Sequence, residues 1–173
     1  MPVKNPPMSV PDCLKIYRLA ECYWDASSML DEQARRDEWG CAGPKLLVDS
    51  FAVELYLKCL YVLDTNKVPP CGHDLLNLFE ALNSATKSLI REAFDRSVRD
   101  HPILSNLSLF NPEAVKTTDF KRALEAARDT FVKRRYLYEN LPKREWFYAH
   151  ILGDAIRSVT KLDLRICGAD SAP

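Results

Sequence analysis

The chain has 173 residues, 47 % hydrophobic and 28 % charged, a balance that suits one globular domain with a self-sufficient core. Its 24 basic and 24 acidic residues cancel, which excludes whole-molecule attraction to nucleic acid or an acidic membrane and leaves any anion binding to local patches. No apolar run reaches membrane-spanning length, and the polar segment from Met1 to Pro11, with its four prolines, does not read as a signal peptide.

Residues 1–10 read as a flexible tail. Pro11 and Asp12 suit the opening of a first helix, with an acidic residue in its first turn. That helix runs to about Arg36, with Leu14, Tyr17, Ala20, Trp24, Ser28 and Asp31 at three- and four-residue steps. Gly40 to Pro44 breaks the pattern. The second helix, about Pro44 to Leu63, is apolar nearly all round except for one stripe, Ser50, Glu54 and Lys58, each four residues from the next. Such a helix belongs at the centre of a bundle. On it, Glu54 and Lys58 are expected to pair with each other, and a buried Glu54 needs a stronger partner, for which Arg135 is the choice.

Thr65 to Gly72 is a loop, and His73 or Asp74 suits the cap of a third helix ending near Leu82. His101 follows the end of a fourth, about Ala85 to Asp100, and reads as an ordinary loop residue. Ile103, Leu104, Leu107, Leu109 and Phe110 are expected to pack on the core from the segment that follows. A fifth helix spans about Thr118 to Arg135. The last opens at Pro142 and ends near Ile166. Its expected apolar face is Tyr148, Ile151, Leu152, Ala155, Val159, Leu162 and Ile166, which leaves His150, Trp146, Gly153, Asp154 and Arg157 on the other side. Residues 168–173 are a tail, so the domain spans 11–167. With five glycines and no strand alternation, the fold class is all-α: an up-and-down bundle of five to six helices.

Six cysteines occur, Cys13, Cys22, Cys41, Cys59, Cys71 and Cys167, and none forms a C-x-x-C pair. They read as small core residues of a reduced, cytosolic protein. Cys71 and His73 offer two metal ligands without a second pair at useful spacing, so neither metal nor cofactor is expected.

Two basic runs stand close together. Lys133, Arg134 and Arg135 end the fifth helix, where cations suit the helix dipole. Lys143 and Arg144 open the last helix, where they oppose it and make a phosphate site with the free backbone N–H groups. Tyr136, Tyr138 and Trp146 interleave with them, a combination that fits single-stranded nucleic acid through phosphate contacts and base stacking. A solvated basic turn over buried tyrosines explains the same residues without a ligand.

Ala52, Glu54, Leu55, Leu57 and Lys58, a short proline-containing loop, and then Gly72, His73, Asp74 and Leu75 resemble the HEPN family of small helical domains. Arg135, Tyr136, Tyr138 and Glu139 resemble the R-Y wording that follows that family's penultimate helix. Arg144 and His150, with five residues between them, are similar to the arginine–histidine motif of its ribonucleases, with Glu145 in the place usually held by a small polar residue or His. The resemblance implies a homodimer acting on RNA or a nucleotide as a metal-independent endoribonuclease of toxin or phage-defence type, and a nucleotidyltransferase or antitoxin as partner. Arg144 and His150 would be catalytic; Lys133, Arg134, Arg135, Lys143 and Tyr138 would bind nucleic acid; Glu54, Lys58 and Asp154 would support them. Family members without activity leave open a non-catalytic module that binds nucleotide, RNA or protein, and a purely structural dimerising domain stands beside both. At about 100° per residue, Arg144 and His150 lie about 120° apart and some 9 Å along the axis. Asp154, one turn on, is placed to hold the imidazole. Trp146 and Gly153 on the same side suggest a contact surface.

Overall fold

Burial and capping divide the chain into helices that a computed structural model describes over residues 9–36, 42–101, 119–128 and 145–166. Among these residues there are six helices and no strand: α1 (Val10–Arg36), α2 (Ala42–Thr65), α3 (Leu75–Glu80), α4 (Ser84–Asp100), α5 (Phe120–Ala127) and α6 (Glu145–Ile166). The protein is an all-α bundle. Among the described residues no helix is long and apolar enough to cross a membrane.

The helix ends follow local chemistry. Asp12 accepts from Ser9 through its backbone N–H at 3.1 Å and its hydroxyl at 2.8 Å, which satisfies an otherwise orphan donor at the start of α1. α2 runs two residues past the expected Leu63, because Thr65 Oγ1 donates to the Tyr61 carbonyl at 2.7 Å and Asn66 closes the helix at φ 53°, a left-handed position that asparagine tolerates. Gly72 stands at φ 112°, where a side chain would strain the backbone. Asp74 caps α3 by accepting from the Asn77 N–H at 3.0 Å. Asn83 caps α4 by accepting from Thr86 at 2.8 Å, and is itself held by Asp64, which accepts from the Asn83 backbone at 2.9 Å and side chain at 2.6 Å. α5 starts at its cap Asp119, and Arg128 then reaches back to Asp74 with Nε at 2.9 Å. The expected continuation of that helix to Arg135 lies outside the described residues, as do the apolar residues from Ile103 to Phe110.

α2 packs against α1, α3 and α6, and α6 packs in turn against α4 and α5. The core lies where α2 and α6 meet. Tyr56, Leu57, Leu60, Ile151, Leu152 and Ile156 are sealed there, and Phe79, Phe94 and Ile90 extend it toward α3 and α4. Phe120 closes the far side, its ring centroid 4.9 Å from Phe79 and 5.4 Å from Phe94. On α1 the inward residues are Cys13, Ala20, Trp24 and Ser27, a slightly different set from the one expected. α6 departs further. Gly153, Ile156 and Thr160 are buried beside the expected Ile151, Leu152, Ala155 and Val159, whereas Leu162 is 48 % exposed. A helix enclosed by three neighbours buries more than one face, and a single apolar stripe underestimates it.

Candidate functional site

The imidazole of His150 rests on α1. Its ring lies over Trp24 with centroids 5.2 Å apart and planes 9° from parallel. One turn along α6, the Asp154 carboxylate stands 3.5 Å from Nε2, and both side chains are 46 % exposed. That distance is electrostatic contact rather than a formed hydrogen bond. It leaves Nδ1 as the nitrogen turned away from the carboxylate. Asp154 stands beside the half-exposed His150 as the helical spacing places it, in charge contact and not through the expected hydrogen bond.

Gly153 makes this arrangement possible. A Cβ there would fall 2.5 and 2.7 Å from two carbons of the Trp24 ring and 3.3 Å from Val53 Cγ2. Only a residue without a side chain lets the indole that stacks on His150 come this close to α6. The reading of Gly153 as part of an outward contact surface is therefore corrected: it is buried in the bundle, where the bulk of Trp24 occupies the space. The side chain of Trp146, the other half of that surface, lies outside the described residues.

Charged groups surround the pair. Asp49 is 1 % exposed; it accepts from the Ser27 hydroxyl and from Lys45 Nζ at 2.7 Å. Burial pushes the Asp154 carboxyl above the usual aspartate range, and the negative charge of Asp49 adds to this. The positive charges of His150, Arg157 and Lys45 oppose that shift. Asp154 therefore holds a proton more readily than an exposed aspartate does.

Arg157 extends the cluster along α6. Its guanidinium sits 5.6 Å from the Trp24 ring centroid and binds Glu21 on α1 through two nitrogens, each at 2.8 Å. Glu21 also accepts from the Tyr56 hydroxyl at 2.5 Å and lies 3.3 Å from Lys161. Burial alone would raise its carboxyl. The hydrogen bonds from Arg157 and Tyr56, with the charges of Arg157 and Lys161, outweigh that and bring it down to about 2. Burial and the Glu21 carboxylate push the Tyr56 phenol up. This is a fork-to-fork ion pair with every oxygen engaged, the kind of contact that fixes helices.

A second cluster joins α2 to the loop before α3. Glu54 is 4 % exposed. Lys58 Nζ stands 2.6 Å from Oε1, as expected of an i,i+4 pair, and His73 Nδ1 stands 2.8 Å from Oε2. Of the two cap candidates, Asp74 is the one that caps α3. His73 is instead folded back onto α2 by the short loop. The two halves of the A-x-E-L and G-H-D-L wording are thus the two sides of one contact. Arg135, the expected partner of Glu54, lies outside the described residues.

Lys133, Arg134, Arg135, Tyr138, Lys143 and Arg144 lie outside the described residues as well. Among the described residues, no group of three or more His, Cys, Asp or Glu side chains is arranged to hold a metal ion. No family model matches the chain, and no curated protein or solved structure matches it.

Proposed function

We propose that the protein is a HEPN-like, RNA-directed domain in which His150 acts as the acid–base group of a metal-independent endoribonuclease. The observation that carries this reading is the setting of His150: a half-exposed imidazole, stacked on Trp24 and facing Asp154, at the position of the arginine–histidine spacing read in the sequence. A carboxylate at one ring nitrogen and an aromatic plane beneath the ring fix the orientation of the other nitrogen. RNA supplies its own nucleophile. The 2′-hydroxyl attacks the adjacent phosphorus, its proton passes to a neutral imidazole, the bond from phosphorus to the 5′-oxygen breaks, and that oxygen takes up a proton. The products are a cyclic phosphate and a free 5′-hydroxyl. Acid–base assistance of this kind is worth about 10²–10⁴-fold. Arg144 would stabilise the charge that grows on the phosphoryl oxygens, with Lys133, Arg134, Arg135, Lys143 and Tyr138 holding the strand.

One observation favours a second reading, a non-catalytic module that binds RNA, a nucleotide or a protein such as a nucleotidyltransferase or antitoxin. The described cations nearest His150 are already committed, Arg157 to Glu21 and Lys45 to Asp49. Charge stabilisation then falls to basic residues outside the described ones, Arg144 first. The test is incubation of labelled single-stranded RNA with the protein in EDTA, beside a filter-binding titration. The enzyme reading expects cleavage that His150→Ala abolishes while affinity stays within about two-fold, since the histidine acts on the proton and not on the phosphate. Binding without cleavage by the wild type leaves the module, and neither binding nor cleavage refutes the RNA-directed form of both readings.

A further inference from the structure

Two buried thiols meet across the seam between α1 and α2. Cys13 and Cys59 are fully buried, and neither is in a disulfide. Cys13 Sγ lies 3.3 Å from the Cys59 carbonyl oxygen, and Cys59 Sγ lies 3.5 Å from the Cys13 carbonyl oxygen. The contact is reciprocal, so each sulfur rests on the main chain of the other cysteine. With Val62 and Leu164 the two residues form a small apolar cluster apart from the main core.

The register of the seam brings them together. α1 and α2 run antiparallel: Ser27 meets Asp49, Glu21 meets Tyr56 and Cys13 meets Cys59. Cys13 and Ala20 stand seven residues apart on α1, as Ala52 and Cys59 do on α2. With Cys13 opposite Cys59, that spacing sets Ala20 opposite Ala52. All four are fully buried. Small side chains facing each other at two successive levels bring the helix axes to the short end of the usual range of about 8–10 Å.

We propose that Cys13 and Cys59 are a dithiol that a small-molecule disulfide oxidises to an intramolecular disulfide, stapling α1 to α2. The bond asks for Cα atoms about 4.4–6.8 Å apart. A carbonyl oxygen lies about 2.4 Å from its own Cα. A sulfur in contact with that oxygen therefore already stands beside the partner residue, and a turn about each Cα–Cβ bond is the motion that remains. Cys13 is the point of entry. It lies in the opening turn of α1, and helix ends open at the least free energy. Its thiolate attacks one sulfur of the oxidant, whose S–S bond breaks and releases one thiolate. The Cys59 thiolate then attacks the Cys13 sulfur and releases the second. The protein gives up two electrons and two protons, and the oxidant carries them away as two thiols. The new bond closes a loop between residues 46 apart, which restricts the unfolded chain strongly. It also anchors the helix that presents Glu21 and Trp24 to α6.

The test is incubation of the full chain, in native buffer, with oxidised glutathione. Remaining thiols are then blocked with N-ethylmaleimide in denaturant, and the product is digested and mapped by mass spectrometry without reduction. A peptide bearing Cys13 should be found joined to one bearing Cys59, two hydrogens lighter than the sum of the pair. The thermal midpoint of the oxidised chain should rise by several degrees and return with dithiothreitol. Cys13→Ala and Cys59→Ala should each abolish the rise. Replacing the exposed Cys22 and Cys71 by serine should leave both the bridge and the rise in place. The mapping is done on the wild type, so a variant that fails to fold does not decide the matter. Glutathione on Cys22 and Cys71 with maleimide on both Cys13 and Cys59 overturns the proposal. So does a bridge from either residue to a different cysteine, or a Cys13–Cys59 bridge that lowers the midpoint, since the bond would then strain the seam.

Discussion

Replacing Glu21 by glutamine removes one charge from the α1–α6 junction while keeping the side chain's shape and its oxygen acceptor. Both carboxylate oxygens are in use in the folded protein, toward Arg157, Tyr56 and Lys161. The side chain is only 22 % exposed, so solvent screens these contacts weakly. The folded carboxyl stands at about 2 against an ordinary 4.5. The folded value is the lower one, so the ionised form favours folding. Its contribution is complete above pH 4.5 and is lost as the pH falls from there toward 2. At about 1.4 kcal/mol per pH unit of displacement, the charge is worth about 3 kcal/mol at neutral pH. Urea unfolding of the wild type and Glu21→Gln, followed by far-UV circular dichroism between pH 7 and pH 2.5, should show a gap of about that size. The gap should stay constant down to about pH 5 and then narrow as the wild type alone weakens. Taking the difference between two chains removes other titrations, including that of Asp154, whose raised carboxyl acts in the opposite sense and favours folding as the pH falls through its own range. A gap under about 1 kcal/mol at pH 7, within the reach of an ordinary surface pair, would refute the reasoning. A gap unchanged from pH 7 to pH 3 would refute it as well, since the loss would then come from packing and not from charge.

Gly153→Ala gains about 1 kcal/mol of helix propensity but drives a methyl group into the ring of a Trp24 that is 5 % exposed; overpacking costs about 1–3 kcal/mol, so thermal melts should show a net loss of stability, and a gain would mean that the indole is free to move. Among the described residues, Lys58→Ala leaves the buried Glu54 carboxylate with His73 alone beside it and should cost about 3 kcal/mol. Glu54→Ala releases a His73 that is 45 % exposed and a Lys58 that is 20 % exposed back toward water, and should cost less, about 2 kcal/mol. The reverse order in denaturant midpoints would show that His73, and not Lys58, is the chief partner of Glu54.

The helices were legible because their signals are local. The apolar circumference of α2, the acidic first turn at Asp12 and the cap at Asp74 involve residues within one or two turns of each other. The clusters were legible only in part, and the reason is separation along the chain. Asp154 as a partner of His150 follows from helical spacing. Glu21 and Arg157 are 136 residues apart, and neither carries a mark of the other in its own neighbourhood. His73 and Glu54 are 19 apart, close enough that the loop between them was visible but not its direction of return. Gly153 was misjudged for a steric reason. A helical wheel ranks residues by polarity and places glycine with the polar set, whereas here its lack of volume is what matters, and the partner that needs the volume lies on another helix.

The two histidine clusters differ in a way that bears on function. His73 is tied by Nδ1 at hydrogen-bond distance to a carboxylate that is itself buried and held by a lysine, so the contact joins a loop to the central helix and its loss would be felt first in stability. His150 has a looser carboxylate at 3.5 Å, with half of its surface in solvent, and a partner whose own proton affinity is raised by burial. Moving a proton on and off the ring disturbs little packing there, because the Trp24 plane supports the imidazole in either charge state. A structural histidine is expected to make strong contacts and a proton-transfer histidine adjustable ones. On that physical ground His150, rather than His73, is the residue to substitute first, and the comparison has its own check. His73→Ala should lower the unfolding midpoint while leaving RNA cleavage per folded molecule unchanged, and His150→Ala should do the opposite. If His73→Ala instead abolishes cleavage at full stability, the site lies on the loop before α3, and the assignment of roles is reversed.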